Sequence, residues 1–372
     1  MLDTPSWQIP IGDDCFMVGR RDQHSILQCN TYLRTFVGPG APMHWCIDPG
    51  SRIDFAHVQR HLLEHIGHMS ALRLFSINHQ DPDVVGNLPK FVRANPRING
   101  LTSEDTWRLV RHLNVKPKRL FFVNQAKRNT IHLQKRHQIK VVPTPFCHFR
   151  GAMALYDPEN RVLFSGDLFG GLNAPGRVQL FGEEEDWPGI AQFHQIYMPT
   201  RDALAYAMRQ IRSLKPAVKF IAPQHGFVLQ GDFMHEVMDR LERLPVGLDL
   251  LGLELGERYL ADYEDVLQEI LEIAGRQMGR DEVLSRLRKL PREHELRRLL
   301  NLSGTHVALR SNGIRAVSLV IDVLSRDQFA GFRSLLKSCV LQGCTRRQIP
   351  LPQVGIGLGE GEGGHESLGE GS

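Results

Sequence analysis

The sequence predicts a layered α/β protein followed by a smaller, mainly helical region. Three observations predict this. Up to about residue 230, apolar runs of strand length alternate with amphipathic helical segments. Several of those runs stop abruptly in a Pro- or Gly-marked loop. At about residue 248 the pattern changes to sustained helical periodicity. A chain of 372 residues is long enough for a large core and two domains. The expected division is 1–248 for the layered domain, 249–349 for the helical region, and 350–372 for a disordered, low-complexity Gly/Glu tail.

Taken in order, "CFMVG" (15–19), "TYLRTF" (31–36) and "MHWCI" (43–47) read as strands, the last stopped by Asp48-Pro49-Gly50. Residues 52–66 carry apolar residues at roughly helical spacing. "LRLFSI" is the next strand. Ser103 is placed to cap a helix over 103–113, with Glu104 and Asp105 in its first turn. "RLFFV" (119–123), "IKVVPT" (139–144), "AMALYD" (152–157) and "VLFSG" (162–166) are further strands. Thr200 to Leu214 reads as a capped helix with Leu204, Met208 and Ile211 on one face, and "VKFIAP" (218–223) as a strand. Helices are expected at 257–275, 281–290 and 293–301. The stretch around Ser311-Asn312-Gly313 fits a hairpin turn or a break between helices. Gly359, Gly361 and Gly364 match a nucleotide-loop pattern, but no strand precedes them and no helix follows, so they are rejected as one.

Composition fits a soluble globular protein, and no run of about 18 apolar residues suggests a membrane span. The N-terminus lacks the basic-then-apolar pattern of a secretory signal. Six cysteines stand without CxxC pairing, which fits a reduced cytoplasmic protein. The net charge of +4 is too weak to indicate a nucleic-acid partner by itself.

The stretch "SINHQDPDVVGNLP" is a core strand that breaks into His79, Asp81 and Asp83. Two carboxylates this close repel unless a cation lies between them. Further metal-ligand residue types recur just beyond other strands: His148 after "VVPTPFC", Asp167 ending "VLFSGD", and His225 after "FIAPQ". Loops at strand ends let a rigid scaffold aim side chains.

This set, with the phrases "NHQDPDVVGNLP", "PTPFCHFRGAMALYD", "VLFSGDLFG" and "FIAPQHG", resembles the di-iron domain of flavodiiron proteins and the related oxygen-binding di-iron proteins. The resemblance covers about residues 10 to 230. It implies a metallo-β-lactamase-like αββα sandwich. It also implies two iron ions, with His79, Asp81 and His148 on one, Asp83 and His225 on the other, and Asp167 bridging. The sequence departs from the pattern in two places. Glutamate is usual where Asp81 stands, and losing one methylene shortens the reach by about 1.5 Å. Val84 stands where zinc hydrolases of the superfamily carry histidine. Three carboxylates beside three imidazoles favour iron or manganese at least as well as zinc.

The resemblance implies binding of O2 or NO, as a scavenger or a sensor, and reduction of the gas if electrons are supplied. No flavodoxin-like segment or flavin site is visible, so electrons would come from a partner protein. The competing readings are a zinc hydrolase of an ester, thioester or phosphodiester, and a non-catalytic sensing module signalling through the helical region. From Thr106 to Tyr156 there is no acidic residue against many Lys and Arg. That run would suit an acidic electron donor, an RNA, or simply solvent. Cys147 reads as a buried structural thiol or one that tunes the site. The resemblance puts His24 and Tyr197 near the metals, as against a surface histidine and a core tyrosine. His57, His61, His65 and His68 share a helical face and read as partly exposed. The helical region suits a lid, a homodimer interface or a signal output.

Overall fold

Alternating apolar residues on the N-terminal strands bury one set of side chains between two sheets and the other set under helices. In this computed structural model the described residues are 7–9, 14–133, 137–251 and 259–352. The chain divides into two compact units, Met1–Glu254 and Leu255–Ser372.

In the first unit, one sheet runs in sequence order: β1 (Trp7–Gln8), β2 (Cys15–Met17), β3 (Tyr32–Phe36), β4 (Met43–Ile47), β5 (Leu72–Ser76), β6 (Asn99–Thr102) and β7 (Arg119–Phe122). Strands β1 to β4 pair antiparallel, whereas β4 to β7 pair parallel. The second sheet contains β8 (Thr130–Leu133), β9 (His137–Pro143), β10 (Met153–Asp157), β11 (Val162–Gly166), β12 (Phe220–Pro223) and β13 (Leu229–Gln230), in the order β13-β12-β11-β10-β9-β8. Its one parallel pair is β11 with β12.

Tyr32, Phe36, Trp45 and Leu74 of the first sheet meet Val141, Leu155, Phe164 and Phe220 of the second in one buried core. The opposite face of the first sheet, including Leu33, Cys46 and Phe75, forms a second core with helical residues. These come from α1 (Phe55–Ile66), α2 (Pro82–Val85), α3 (Leu88–Ala94) and α4 (Glu104–Val110). Parallel strands require such crossovers, which is why helices line this face. Past β11 come α5 (Trp187–Tyr197), α6 (Arg201–Arg212) and α7 (Gly231–Arg243). Helix α6 packs on β9 and α7 on β12 and β13. The layers are therefore helix, sheet, sheet, helix. Ser103 and Thr200 cap their helices as expected, accepting from Thr106 N and Ala203 N.

The second unit holds helices Leu260–Met278, Arg280–Arg288, Gly313–Ser325 and Ala330–Arg347. The helix expected over 293–301 is only Leu296–Leu299. Leu300 turns extended, and Leu300–Ser303 pairs antiparallel with His306–Leu309. Gly304, at φ +54, makes the tight turn between them. Asn312 neither turns a hairpin nor separates two helices. It follows a strand and caps the next helix, accepting from Arg315 N at 3.2 Å.

The histidine run keeps the expected partial exposure at His57 and His65 but departs from expectation at two positions. Helix α1 ends at Ile66, so His68 lies beyond it. His61 is fully buried, its Nδ1 3.2 Å from Val18 O, and His65 stacks on Phe16 at 3.8 Å. Of the four, only His61 is core-directed, because Val18, just after β2, packs against that part of α1. The expected Gly/Glu tail lies, from residue 353 on, outside the described residues. Among the described residues no helix is long and apolar enough to cross a membrane.

Candidate metal centre

Each predicted donor emerges where a strand runs out of partners. After β5, Asn78 N donates to Asp48 Oδ1 at 2.9 Å and Asn78 Nδ2 donates to Met153 O at 2.5 Å. This ties the turn to both sheets. Asn78 Oδ1 then meets His79 Nδ1 at 2.9 Å. With Nδ1 donating there, the His79 Nε2 lone pair is left for another partner. Asp81 precedes α2 in extended conformation, and Asp83 lies in its first turn. His148 sits in the loop between β9 and β10.

Gly166 has φ +62, and a Cβ there would fall 1.8 Å from Asn78 Oδ1. Only glycine lets β11 pass this close before delivering Asp167. After β12, His225 Nδ1 donates to Gln28 O at 2.8 Å, again leaving Nε2 free. Tyr32 OH and Asn30 Nδ2 donate to Pro223 O at 2.7 and 2.9 Å, which anchors that turn.

The six side chains converge. His148 Nε2 lies 3.1 Å from Asp167 Oδ2 and 3.2 Å from Asp81 Oδ2. His79 Nε2 lies 3.4 Å from Asp167 Oδ1 and 3.7 Å from Asp81 Oδ2. His225 Nε2 lies 3.2 Å from Asp83 Oδ2 and 3.7 Å from Asp167 Oδ1. Donors bound at about 2.1 Å to one ion lie roughly 3 to 3.5 Å from each other; four of these six spacings fall in that range and the two at 3.7 Å lie just outside it. The donor atoms of His79, Asp81 and His148 all lie within 4.8 Å of one another, and so do those of Cys29, Asp83 and His225. Asp167 stands between the two groups. The shorter Asp81 reaches the cluster.

The hydrogen bonding points the same way. His79 Nε2, His148 Nε2 and Asp167 Oδ1 are buried and satisfied by no hydrogen bond, although carboxylate oxygens and imidazole nitrogens face each other across the site. Buried polar atoms are rarely left so. They aim at common points, and the donor chemistry fits divalent cations there.

The electrostatics follow from three imidazoles around three carboxylates. Burial pulls His148 down, but the Asp167 and Asp81 carboxylates outweigh it and carry its pKa up to about 10. His225 is likewise raised, against burial, chiefly by Asp83. Burial pushes Asp167 up, yet the surrounding histidines, His79 first, hold it well below the usual carboxylate range. Asp83 is lowered by His225 in the same way. Burial raises the Asp48 carboxyl to about 7, even though Asn78 N donates to it.

Sequence reasoning missed several contributors. Asp48 was read only as a turn, yet it is 2 % exposed and holds the His79 loop. Gln28 presents a backbone carbonyl, which leaves no side-chain signature. Cys29 was not singled out, and its Sγ lies 3.9 Å from Asp83 Oδ2. Phe193 packs 5.2 Å from the His225 ring and 4.6 Å from Tyr197. Of the two residues considered for a supporting role, Tyr197 does stand by the site, its ring 5.9 Å from that of His148. His24 is exposed, and its ring meets Gln23 instead. Cys147 is buried, and burial lifts its thiol to about 12.

His194 supports the centre from behind. It is fully buried, donates from Nδ1 to Ile190 O at 2.8 Å, and accepts from Phe169 N at 3.0 Å through Nε2. Protonating Nε2 would break the bond that holds the turn after Asp167. Burial lowers its pKa to about 4. Between about pH 6.5 and 4 the unfolded chain therefore binds a proton that the folded chain does not, so stability rises with pH across that window. We expect metal-free protein to lose about 2 kcal/mol from this group on going from pH 8 to 5. Urea unfolding of wild type and His194→Gln checks this. Equal pH slopes in the two proteins would contradict it.

A four-layer sandwich with clustered His and Asp donors at its strand ends defines a metallo-β-lactamase-like metal-binding domain. Residues 27–226 match the family described as "ODP family beta lactamase", and the chain belongs to that family. Among curated proteins, it is 28% identical over 172 residues to a type A flavoprotein, fprA, of Rhodobacter capsulatus, covering 45% of this chain and 39% of that one. The matched portion spans only 28% to 39% of the curated relatives' length. Among solved structures, the chemotaxis sensor ODP from T. denticola in its apo state is similar, with TM-score 0.55 and 24% identity. That match covers 65% of this chain and 95% of the sensor. The flavodiiron protein from Giardia intestinalis gives TM-score 0.56 at 16% identity, over 65% of this chain and 59% of that one. These likenesses establish the fold.

Proposed function

We propose that this chain holds two iron ions and uses them to bind oxygen or nitric oxide, as a scavenger or an oxygen sensor. The observation that carries the proposal is the pair of three-donor groups flanking one buried carboxylate. His79, Asp81 and His148 would hold one ion, Asp83 and His225 the other, and Asp167 would bridge them. Hard carboxylates with imidazoles suit iron, and three anions favour its higher oxidation state. The similar solved structures support this reading, since one is described as a peroxy di-iron species of the chemotaxis sensor ODP and others as flavodiiron proteins.

A ferrous pair supplies the electron density and the open positions at which a diatomic gas binds. The protein supplies the surroundings. Phe193 and Tyr197 pack against each other and against the His225 and His148 rings on one side of the donors. Burial raises the Tyr197 phenol further above its ordinary value, so it remains a hydroxyl donor beside the His148 ring. Turnover would draw electrons from a separate acidic protein docking on the basic run between Thr106 and Tyr156. Part of that run already has a partner: Arg108 and Arg150 both face Asp105, at 3.7 and 3.6 Å.

Metal analysis of anaerobically purified protein tests the proposal. We expect two irons per chain, and two zincs without iron would overturn it. Oxygen uptake with an artificial reductant then separates scavenging from sensing, for which a stable adduct without turnover is expected.

A further inference from the structure

The turn of α2 that carries Asp83 offers its ion no second donor. Val84 is fully buried and packs into the core beneath the first sheet. The opposite loop brings a different donor to that side. Cys29 Sγ lies 3.9 Å from Asp83 Oδ2, and the Cys29, Asp83 and His225 donor atoms all fall within 4.8 Å of one another.

The thiol is held there by both of its neighbours. Gln28 O accepts from His225 Nδ1 at 2.8 Å. Asn30 N donates to Gln224 O at 2.6 Å, and Asn30 Nδ2 donates to Gly226 O at 3.1 Å. Residues 28 and 30 are thus clamped to the turn that carries His225, and Cys29 cannot shift without it. A second observation concerns Asp167, which is 3 % exposed. Its Oδ1 has no hydrogen-bond partner and lies 3.7 Å from His225 Nε2. His225 Nε2 thus stands near both the unsatisfied oxygen and the thiol, which come from different loops.

We propose that Cys29 is a thiolate ligand of the ion held by Asp83 and His225, so the two metal positions are chemically unlike. One has imidazole and carboxylate donors only; the other adds a soft sulfur. On binding, the S–H bond breaks, the proton leaves to solvent and a sulfur–metal bond forms, with no change in oxidation state. This inference rests on the dinuclear reading above, and its test is chosen to fail separately.

The experiment titrates reduced, metal-free full-length protein with Co(II) without oxygen, following near-ultraviolet sulfur-to-cobalt absorption alongside cobalt stoichiometry. We expect two cobalts per chain and the sulfur band from one of them. Cys29→Ser should lose the band and bind its second cobalt about 10- to 100-fold more weakly, since losing a ligand costs at least as much as losing an outer partner. Cys147→Ser should keep both, which controls for the other thiol near the site. Circular dichroism of Cys29→Ser checks that it folds. If it does not, protection of the Cys29 thiol from alkylation in wild type loaded with two equivalents of cobalt decides the matter, and full reactivity overturns the inference. Two cobalts without a sulfur band would overturn the thiolate and leave the dinuclear site standing. Binding of no cobalt would overturn both.

Discussion

Asp167→Asn protein should fold yet fail to load either metal position. The carboxylate is the one donor shared by both groups: Oδ1 faces His79 and His225, and Oδ2 faces His148. Asparagine keeps the shape but removes the charge and one acceptor. Three imidazoles would then surround a neutral amide, and an ion at either position would lose an anionic ligand. Loss of an outer partner alone costs about 10- to 100-fold in metal affinity, and loss of a bridging ligand should exceed that at both positions. Atomic emission on protein refolded with excess Fe(II) and then desalted measures it. Two retained irons would show that Asp167 is not a bridge. The fold should survive, because the core between the sheets does not include this side chain.

The second large effect lies away from the metal. Arg34 is 2 % exposed and donates from Nε to Asp157 Oδ2 at 2.6 Å, joining β3 to β10 across the two sheets. It also pairs with Asp14 and Glu159, and its guanidinium covers the Phe36 ring at 4.3 Å. Asp157 is fully buried, and burial already raises its pKa despite Arg34. Arg34→Ala leaves that carboxylate with only the backbone amides of Glu159 and Asn160. Breaking such a pair from one side costs about 3–5 kcal/mol. Lowering the pH should shrink the deficit, because the stranded carboxylate takes up a proton in the folded state before the unfolded one does. Arg34→Met with Asp157→Leu should recover much of the loss, since replacing both partners removes the unpaired charge. Urea unfolding at several pH values tests all three statements. A cost for Arg34→Ala below about 1 kcal/mol, the range of an exposed pair, would defeat them.

Much of the centre was legible in the sequence because its donors stand at strand ends. A strand declares itself by apolar residues within five or six positions, and its end by proline, glycine or aspartate. Asp83, Asp167 and His225 follow such a residue, and His79 and Asp81 stand where the apolar run of β5 gives way to polar residues. The hairpin at 300–309 was not legible. Leu300, Leu302 and Val307 fit a helix as well as a strand over so short a span, and the pairing of the two segments decided it. The core position of His61 was hidden for a related reason. Histidines stand on both sides of it at helical spacing, at 57 and 65, and its partner is a backbone carbonyl 43 residues earlier, at Val18.

By itself, then, the sequence determined which residues could bind cations and that they would lie in loops at the ends of buried strands, because both properties are local. Only the tertiary structure decided how they are grouped. Cys29 meets Asp83 across 54 residues, and Gln28 meets His225 across 197. Those encounters exist only once the two sheets have closed on their common core and brought their strand ends to one edge.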